Sequence, residues 1–355
     1  MGSQELAANV PLRSATVTPL PAQRRPRTPT IRDVARRAGV SVATVSRVLN
    51  DRPAVRPEMR ERVQAAIGEL GYRPSATARS LSLGRSQAIG VVAPFFTTSS
   101  VVERLRGVAE QVGRHGYDLV LFDVETPGQR SAAFRDFARL DRFDGLLIIS
   151  LPLTDAEVDA LRRDGMPVVM VDAGHADLPR VVIDDVRGGQ LAAEHLLARG
   201  HRRIGFVGDL ADNPFGFTSS EDRRRGFRAA LARAGVPEAP GLERLGRHGR
   251  EEARTLAADL LGGDDRPTAV FAASDTQAVG VLEAAAARGL AVPDDLAVIG
   301  FDDIEVAELL GLTTVRQPLR QSGARGAGLL LAAIEGDGRP VEELAPLTVV
   351  ERRTT

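Results

Sequence analysis

Residues 30–50, TIRDVARRAGVSVATVSRVLN, constrain this chain more than any other stretch. Thr30 with Asp33 three places on makes a capping box, each side chain answering a backbone N–H that a first helical turn leaves open. Ile31, Val34, Ala35 and Ala38 then recur at helical spacing and define one apolar face. Gly39 supplies the positive-φ residue that ends a helix. Ser41 can cap a second helix, whose buried side is Val45, Val48 and Leu49. Two short helices joined by a glycine turn make a helix-turn-helix, with Arg, Ser and Thr where a DNA major groove would be met. Small three-helix folds of similar pattern exist that bind no DNA, so the run alone leaves both readings open.

The neighbouring segments extend this unit. Residues 57–70, PEMRERVQAAIGEL, predict a third helix with Pro at its first position and an apolar face of Met59, Val63, Ala66, Ile67 and Leu70. Residues 1–29 are rich in Pro, Thr and Arg without periodicity and read as a disordered tail. Within it, Arg24, Arg25 and Arg27 can add non-specific phosphate contacts or simply be solvated. Charge supports a polyanion partner. Residues 1–86 hold 15 Arg against 6 acidic residues, leaving 31 basic and 41 acidic for the rest, so a net charge of −1 conceals a basic head on an acidic body. Every basic residue is Arg.

A length of 355 residues suggests two or three domains, and 43% hydrophobic with 26% charged residues describes a globular chain. With no cysteine, disulfides and thiolate chemistry are excluded. The first 30 residues lack an apolar core of signal-peptide length, and no stretch is long enough to span a membrane, so a cytoplasmic protein is expected. From Gln87 the texture becomes α/β. Apolar runs at 88–93, 119–122, 145–150, 168–172, 204–208, 269–273 and 296–300 read as buried parallel strands. Amphipathic helices are predicted at 101–113, 188–199, 223–234 and 276–288. The alternation, at this length, predicts two doubly wound lobes with ligands beyond the carboxyl ends of the strands.

At this point a resemblance carries further. The helix-turn-helix run, then RERVQAAIGELGYRPSATARSLSLGRSQAIGVV, GYDLVLFD, DGLLIIS, PVVMVD, HLLARGHRRIGFVGD, RRRGFRAALARAG, PTAVFAASDTQAVGVL, DLAVIGFDD and LTTVRQPL, resembles the lactose/galactose repressor family, in order and over essentially everything from Thr30 to the end. The resemblance implies an all-α helix-turn-helix head piece on an α/β, two-lobed body like that of periplasmic binding proteins. Its divisions would be a tail at 1–29, a DNA-binding head at 30–74 and a hinge helix with linker at 75–86. The amino-terminal lobe would take 87–184 with 319–346, and the carboxyl-terminal lobe 185–318 with 347–355.

It further implies a homodimer on a near-palindromic operator. Val42, Ala43 and Arg47 would meet base edges, Arg47 as a bidentate donor to guanine and the other two as apolar contacts. Ser41, Thr44, Ser46 and Asn50 would meet phosphates, with local capping the competing use of Ser46 and Asn50. Residues 75–83 match the family's hinge helix, in which Ala78, Arg79 and Leu81 would contact the minor groove and Leu81 would wedge a central CG step. Roughly nine residues is below the ~12–15 at which an isolated helix holds in water, so such a hinge would order only on DNA. Two departures stand out: Arg56 stands where the family usually caps with Ser, and Gly68 lies inside the third helix.

For a ligand cleft the resemblance points to Phe95, Phe96, Asp172, Arg223, Ser274, Asp275, Asp302 and Gln317. Arg and Asp at strand ends suit vicinal hydroxyls and Phe suits a sugar ring face, which favours a sugar or a derivative as effector. Asp302 with Asp303 also reads as a strand-end turn, 223–225 as a solvated helix start, and Phe215 and Phe217 as either cleft or core. No cofactor or metal is implied, since His195 and His201 are too sparse for a zinc site. An enzyme is disfavoured because the chain lacks a phosphate loop, a GxSxG elbow and any cysteine. A solute-binding protein would share the body but not the basic helical head. A chain that ends soon after its last strand, at LTVVERRTT, favours a dimer over a tetramer.

Overall fold

The computed structural model describes residues 29–49, 55–72, 85–137, 142–163, 165–237, 239–263, 265–338 and 342–355. The chain forms two compact units, residues 1–82 and 83–355. Asn50 and the expected hinge residues Ala78, Arg79 and Leu81 lie outside the described residues, as does nearly all of the expected tail.

The first unit is three helices: α1 (Ile31–Ala38), α2 (Val42–Leu49) and α3 (Pro57–Leu70). The capping box forms: the Thr30 N–H donates to the Asp33 carboxylate at 2.9 Å and the Asp33 N–H to Thr30 Oγ1 at 3.4 Å. Gly39 ends α1 at φ +63°, and Arg62 Nη2 closes that end by donating to the Ala38 carbonyl at 2.6 Å. Ser41 Oγ accepts the Thr44 N–H at 3.1 Å and so starts α2. Val34, Ala35, Ala38, Val45, Val48, Val63 and Ala66 bury together, with Tyr72 added from beyond α3. Arg56, at the start of α3, makes no side-chain cap.

The second unit holds two six-stranded sheets. The first uses β1 (Ala88–Ala93), β2 (Asp118–Asp123), β3 (Gly145–Ile149), β4 (Val168–Val171) and β5 (Arg180–Val182), and a late strand, β11 (Glu342–Leu344), returns to it. Their order is β2-β1-β3-β4-β5-β11, all parallel. The second sheet uses β6 (Ile204–Asp209), β7 (Glu243–Gly246), β8 (Ala269–Ala272), β9 (Ala297–Asp302), β10 (Thr313–Arg316) and β12 (Thr348–Val350). Its order is β7-β6-β8-β9-β10-β12, parallel except for β12, which runs antiparallel to β10.

Helices cover both faces of each sheet. On the first sheet, α4 (Ser99–Arg114) and α12 (Leu319–Ile334) pack Val101, Val108, Leu330 and Leu331 over Ile89, Leu147 and Val169. Its other face takes α5 (Pro127–Phe137) and α6 (Asp155–Arg163). On the second sheet, α7 (Asp185–Ala198) and α8 (Ser219–Arg233) pack Leu196 and Phe227 over Phe206 and Phe271. The opposite face takes α9 (Arg250–Leu260) and α10 (Asp275–Ala287), with the short α11 (Glu305–Leu310) following β9. Double cover explains why β3, β4, β8 and β9 are buried throughout, with apolar runs rather than alternation up to Asp302 at the end of β9.

Each sheet repeats the doubly wound order 2-1-3-4-5, which opens a crevice at the strands' carboxyl ends. The connections β5 to α7, β10 to α12 and β11 to β12 pass between the lobes, all along one edge of the two sheets. The apolar runs became β1–β4, β6, β8 and β9. Strands β5, β7, β10, β11 and β12 are three or four residues long, lie at or next to sheet edges and each carry polar residues, so no apolar run marks them.

Candidate recognition surface and ligand cleft

On α2 the buried side is Val45 and Val48, which turns Val42, Ala43 and Arg47 outward. Ala43 and Arg47, four apart, share one helical face. Val42 is 42% exposed, an apolar side chain left in water, and Arg47 is exposed as well. The Ser41 and Thr44 hydroxyls lie 2.9 Å apart, so the cap of the helix also orients Thr44. Ser46 is half-buried.

In the body, four of the expected cleft residues join one polar network. Asp172 follows β4 and accepts from Ser150 Oγ, which follows β3, at 2.6 Å. Its other oxygen lies 2.6 Å from Arg104 Nη2 of α4. The same nitrogen donates to Gln317 Oε1 at 2.8 Å, and Gln317 Nε2 donates to Asp302 at the end of β9 at 2.6 Å. Asp302 stands 3.9 Å from Arg223 of α8. Arg223 in turn donates from Nε to Asp185 at 2.8 Å and from Nη1 to the Ala273 carbonyl at 2.7 Å. Its guanidinium sits 3.7 Å from the centroid of the Phe301 ring. Asp172 (φ +61°), Ser150 (φ +52°) and Asp302 (φ +116°) are in left-handed or rarer backbone regions, the kind of strain that collects at binding sites.

The other expected residues are used differently. Phe95, half-exposed at φ +47°, meets Phe215 edge-on at 5.6 Å, and Phe215 stacks on Phe217 at 5.4 Å. Phe215 comes from the loop after β6 yet is buried in the core of the first lobe, the core reading of that loop. Phe96 packs against the α4–α12 core. Ser274 caps α10, accepting the Gln277 N–H at 3.2 Å. Asp275 is held by partners from two strands' ends. It is fully buried, accepting from the Ile304 N–H at 3.0 Å and Thr314 Oγ1 at 2.6 Å, and so ties α10 to the ends of β9 and β10.

Residue reasoning missed Arg104, Asp185 and Ser150, and also a second cluster beyond β6 and β7. There Gln277 Nε2 donates to Asp209 at 2.9 Å, and His248 Nδ1 lies 3.2 Å from the same carboxylate. A signal existed for Arg104: it occupies a position on the apolar stripe of α4, where a charge needs a partner.

Crowded charges shift one another. Burial pushes Asp185 up to about 6 despite the Arg223 guanidinium, with Asp172 and Asp222 adding to the rise. Burial also raises Asp302, against the pull of Arg223 and the Gln317 bond. For Arg223 burial opposes the charge, but Asp185 and Asp302 outweigh it and raise the group. The protein around His248 disfavours its charge, and the bond and charge of Asp209 more than compensate, so its pKa rises. Three carboxylates, Asp172, Asp185 and Asp302, thus enclose two guanidiniums, and neither cation is left uncompensated.

Among the described residues no group of three or more His, Asp or Glu is placed to hold a metal ion, and no helix is long and apolar enough to cross a membrane. Comparison with known proteins fits this anatomy. Residues 30–75 match the model for bacterial regulatory proteins of the lacI family, and residues 193–355 match the periplasmic binding protein-like domain. The ribose operon repressor of Escherichia coli (strain K12) is 37% identical over 310 residues, 86% of this chain and 93% of that protein. Catabolite control protein A of Priestia megaterium is 32% identical over 305 residues, covering 85% and 91%. Among solved structures, the Lac repressor dimer bound to operator and the anti-inducer ONPF aligns with a TM-score of 0.82 at 28% identity, over 93% of this chain and 99% of that one. A CelR–cellobiose complex aligns with a TM-score of 0.69 at 30% identity, over 92% and 100%. With a helix-turn-helix head, a two-lobed body and these relatives, the chain belongs to the lacI family of bacterial transcriptional regulators.

Proposed function

We propose that the chain is a cytoplasmic, dimeric repressor that binds near-palindromic operator DNA and answers to an uncharged, sugar-type effector held between its lobes. The head spans 30–74 and the hinge segment 75–86, with Leu81 as wedge and Ala78 and Arg79 beside it. The lobes are 87–184 with 319–346 and 185–318 with 347–355. Outward placement of Val42, Ala43 and Arg47 supports base reading, Arg47 to guanine O6 and N7 and the other two against thymine methyls. Binding, not catalysis, is the work of the body.

The network Asp172–Arg104–Gln317–Asp302–Arg223 carries the effector reading. Its carboxylates accept from hydroxyl groups, its guanidiniums donate to them, and a phosphate would meet an excess of negative charge. That the ribose operon repressor is a relative, and that a neighbouring structure holds cellobiose, supports the same class. Calorimetry of the full chain against D-ribose and other neutral monosaccharides, beside their phosphates, tests this. Binding of a neutral sugar is expected, lost in Arg223→Ala and Asp302→Ala; unchanged affinity in those variants refutes the assignment. For the head, gel shifts on palindromes with a central CG should give a specific complex that Arg47→Ala weakens by roughly ten- to a hundredfold. No preference for any such palindrome would sink the operator reading.

A further inference from the structure

We propose that Arg104 is a positioning residue that braces the two lobes against each other and so sets the balance between their closed and open arrangements. Its side chain belongs to the first lobe, is 2% exposed, and lies on the buried face of α4. An aliphatic residue would complete that face. A guanidinium there instead reaches out of the helix layer to the carboxyl ends of the strands, where one nitrogen serves two partners. Asp172, 2.6 Å away, belongs to the same lobe, whereas Gln317, at 2.8 Å, lies on the connection from β10 to α12 that runs between the lobes. Gln317 passes the contact on to Asp302 of the second lobe at 2.6 Å. Arg104 is therefore the joint of a hydrogen-bonded chain whose two ends sit on different sheets.

Two further observations separate a brace from a packing residue. Arg104 Nε is buried without a hydrogen-bond partner, so the side chain keeps an unsatisfied donor in order to place its far nitrogen between Asp172 and Gln317. And α4 does not yield: at Gly323 of α12 a Cβ would fall 2.1 Å from the Arg104 carbonyl oxygen, so the two backbones are in contact and the base of the arginine is fixed. A fixed base and a two-lobed grip make the closed arrangement dependent on this side chain. Relaxed lobes would break the Arg104–Gln317–Asp302 link first, because its partners sit on the connecting segment and the opposite sheet. The inference concerns lobe closure itself and stands apart from the identity of the effector.

The test uses the full chain labelled for single-molecule energy transfer at Glu125→Cys and Arg247→Cys. These exposed positions lie just past β2 and β7, at the sheet edges farthest from the three connections, where opening moves the lobes most. The chain has no native cysteine, so each chain carries only these two labels, and an excess of unlabelled chain leaves one labelled copy per dimer. Without ligand, the unsubstituted chain should show a dominant short-distance population. Arg104→Met should lower the ratio of short- to long-distance molecules roughly tenfold or more, as loss of a charged hydrogen bond implies. Arg104→Lys, able to hold one partner, should fall between. Gln317→Leu cuts the same link while leaving the Arg104–Asp172 pair intact and Asp302 facing Arg223, and should act in the same direction; if Arg104→Met does not fold, this variant decides alone. Folded variants with an unchanged ratio overturn the proposal. So does a lowered melting temperature with no change in the ratio, which would make Arg104 a packing residue and leave closure to the Phe95–Phe215 contact.

Discussion

At the scale of single residues, the body concentrates its unusual chemistry where strands end. Asp185 is the sharpest case, since burial lifts its pKa to about 6 although Arg223 lies 2.8 Å away. A carboxyl that is easier to protonate in the folded state than in the unfolded chain adds stability at low pH. That contribution is full below the ordinary aspartate pKa and lost as pH rises through about 6. Urea unfolding from pH 4 to 7 should therefore show the unsubstituted chain losing roughly 2 kcal/mol relative to Asp185→Asn across that window. A pH-independent difference between the two proteins would contradict the shifted Asp185.

Helix pairs, at the next scale, meet through glycine in both lobes. A Cβ at Gly107 of α4 would fall 1.9 Å from the Arg320 carbonyl oxygen of α12. One at Gly226 of α8 would fall 1.9 Å from the Val186 carbonyl oxygen of α7, and one at Gly189 of α7 lies 1.9 Å from the Arg223 carbonyl oxygen. The Arg223 backbone is thus pressed against α7, the same helix whose first residue, Asp185, grips its side chain. Gly226→Ala should cost about 1–3 kcal/mol, the range for forced overpacking. Gly113→Ala, where a Cβ meets nothing within 4 Å, is the control and should not destabilise. Chemical denaturation of the two variants side by side checks the difference, and equal stabilities would count against backbone contact between α7 and α8.

Across the whole molecule, the head and body are separate compact units with separate cores. The head is small for a domain and so buries little of its surface. Calorimetry of the full chain should resolve two transitions, the weaker from the head, and a fragment of residues 83–355 should keep only the stronger. A single transition in the full chain would mean that the units unfold together. Within the body, three connections along one edge leave the lobes joined by few segments. Their relative position then rests on side chains such as Arg104 and Phe215 rather than on shared strands.

Local rules were enough for the head, because its caps, turn and core all lie within a few residues of one another. Thr30, Asp33, Gly39 and Ser41 do in space what their spacing implies, and only Tyr72 had to be added. The central strands were equally legible, since burial on both faces writes itself as an unbroken apolar run. The cleft was half legible. Asp172, Arg223, Asp302 and Gln317 follow from the family's pattern, but nothing near Arg104 in the chain says that it will stand between residues 172 and 317. Asp275 looked like Asp302 from sequence, and only the fold gives the one Thr314 and Ile304 as partners and the other Gln317 and Arg223. Residues far apart in sequence share no local energy term that could mark them as partners; folding into two lobes joined by three connections supplies it.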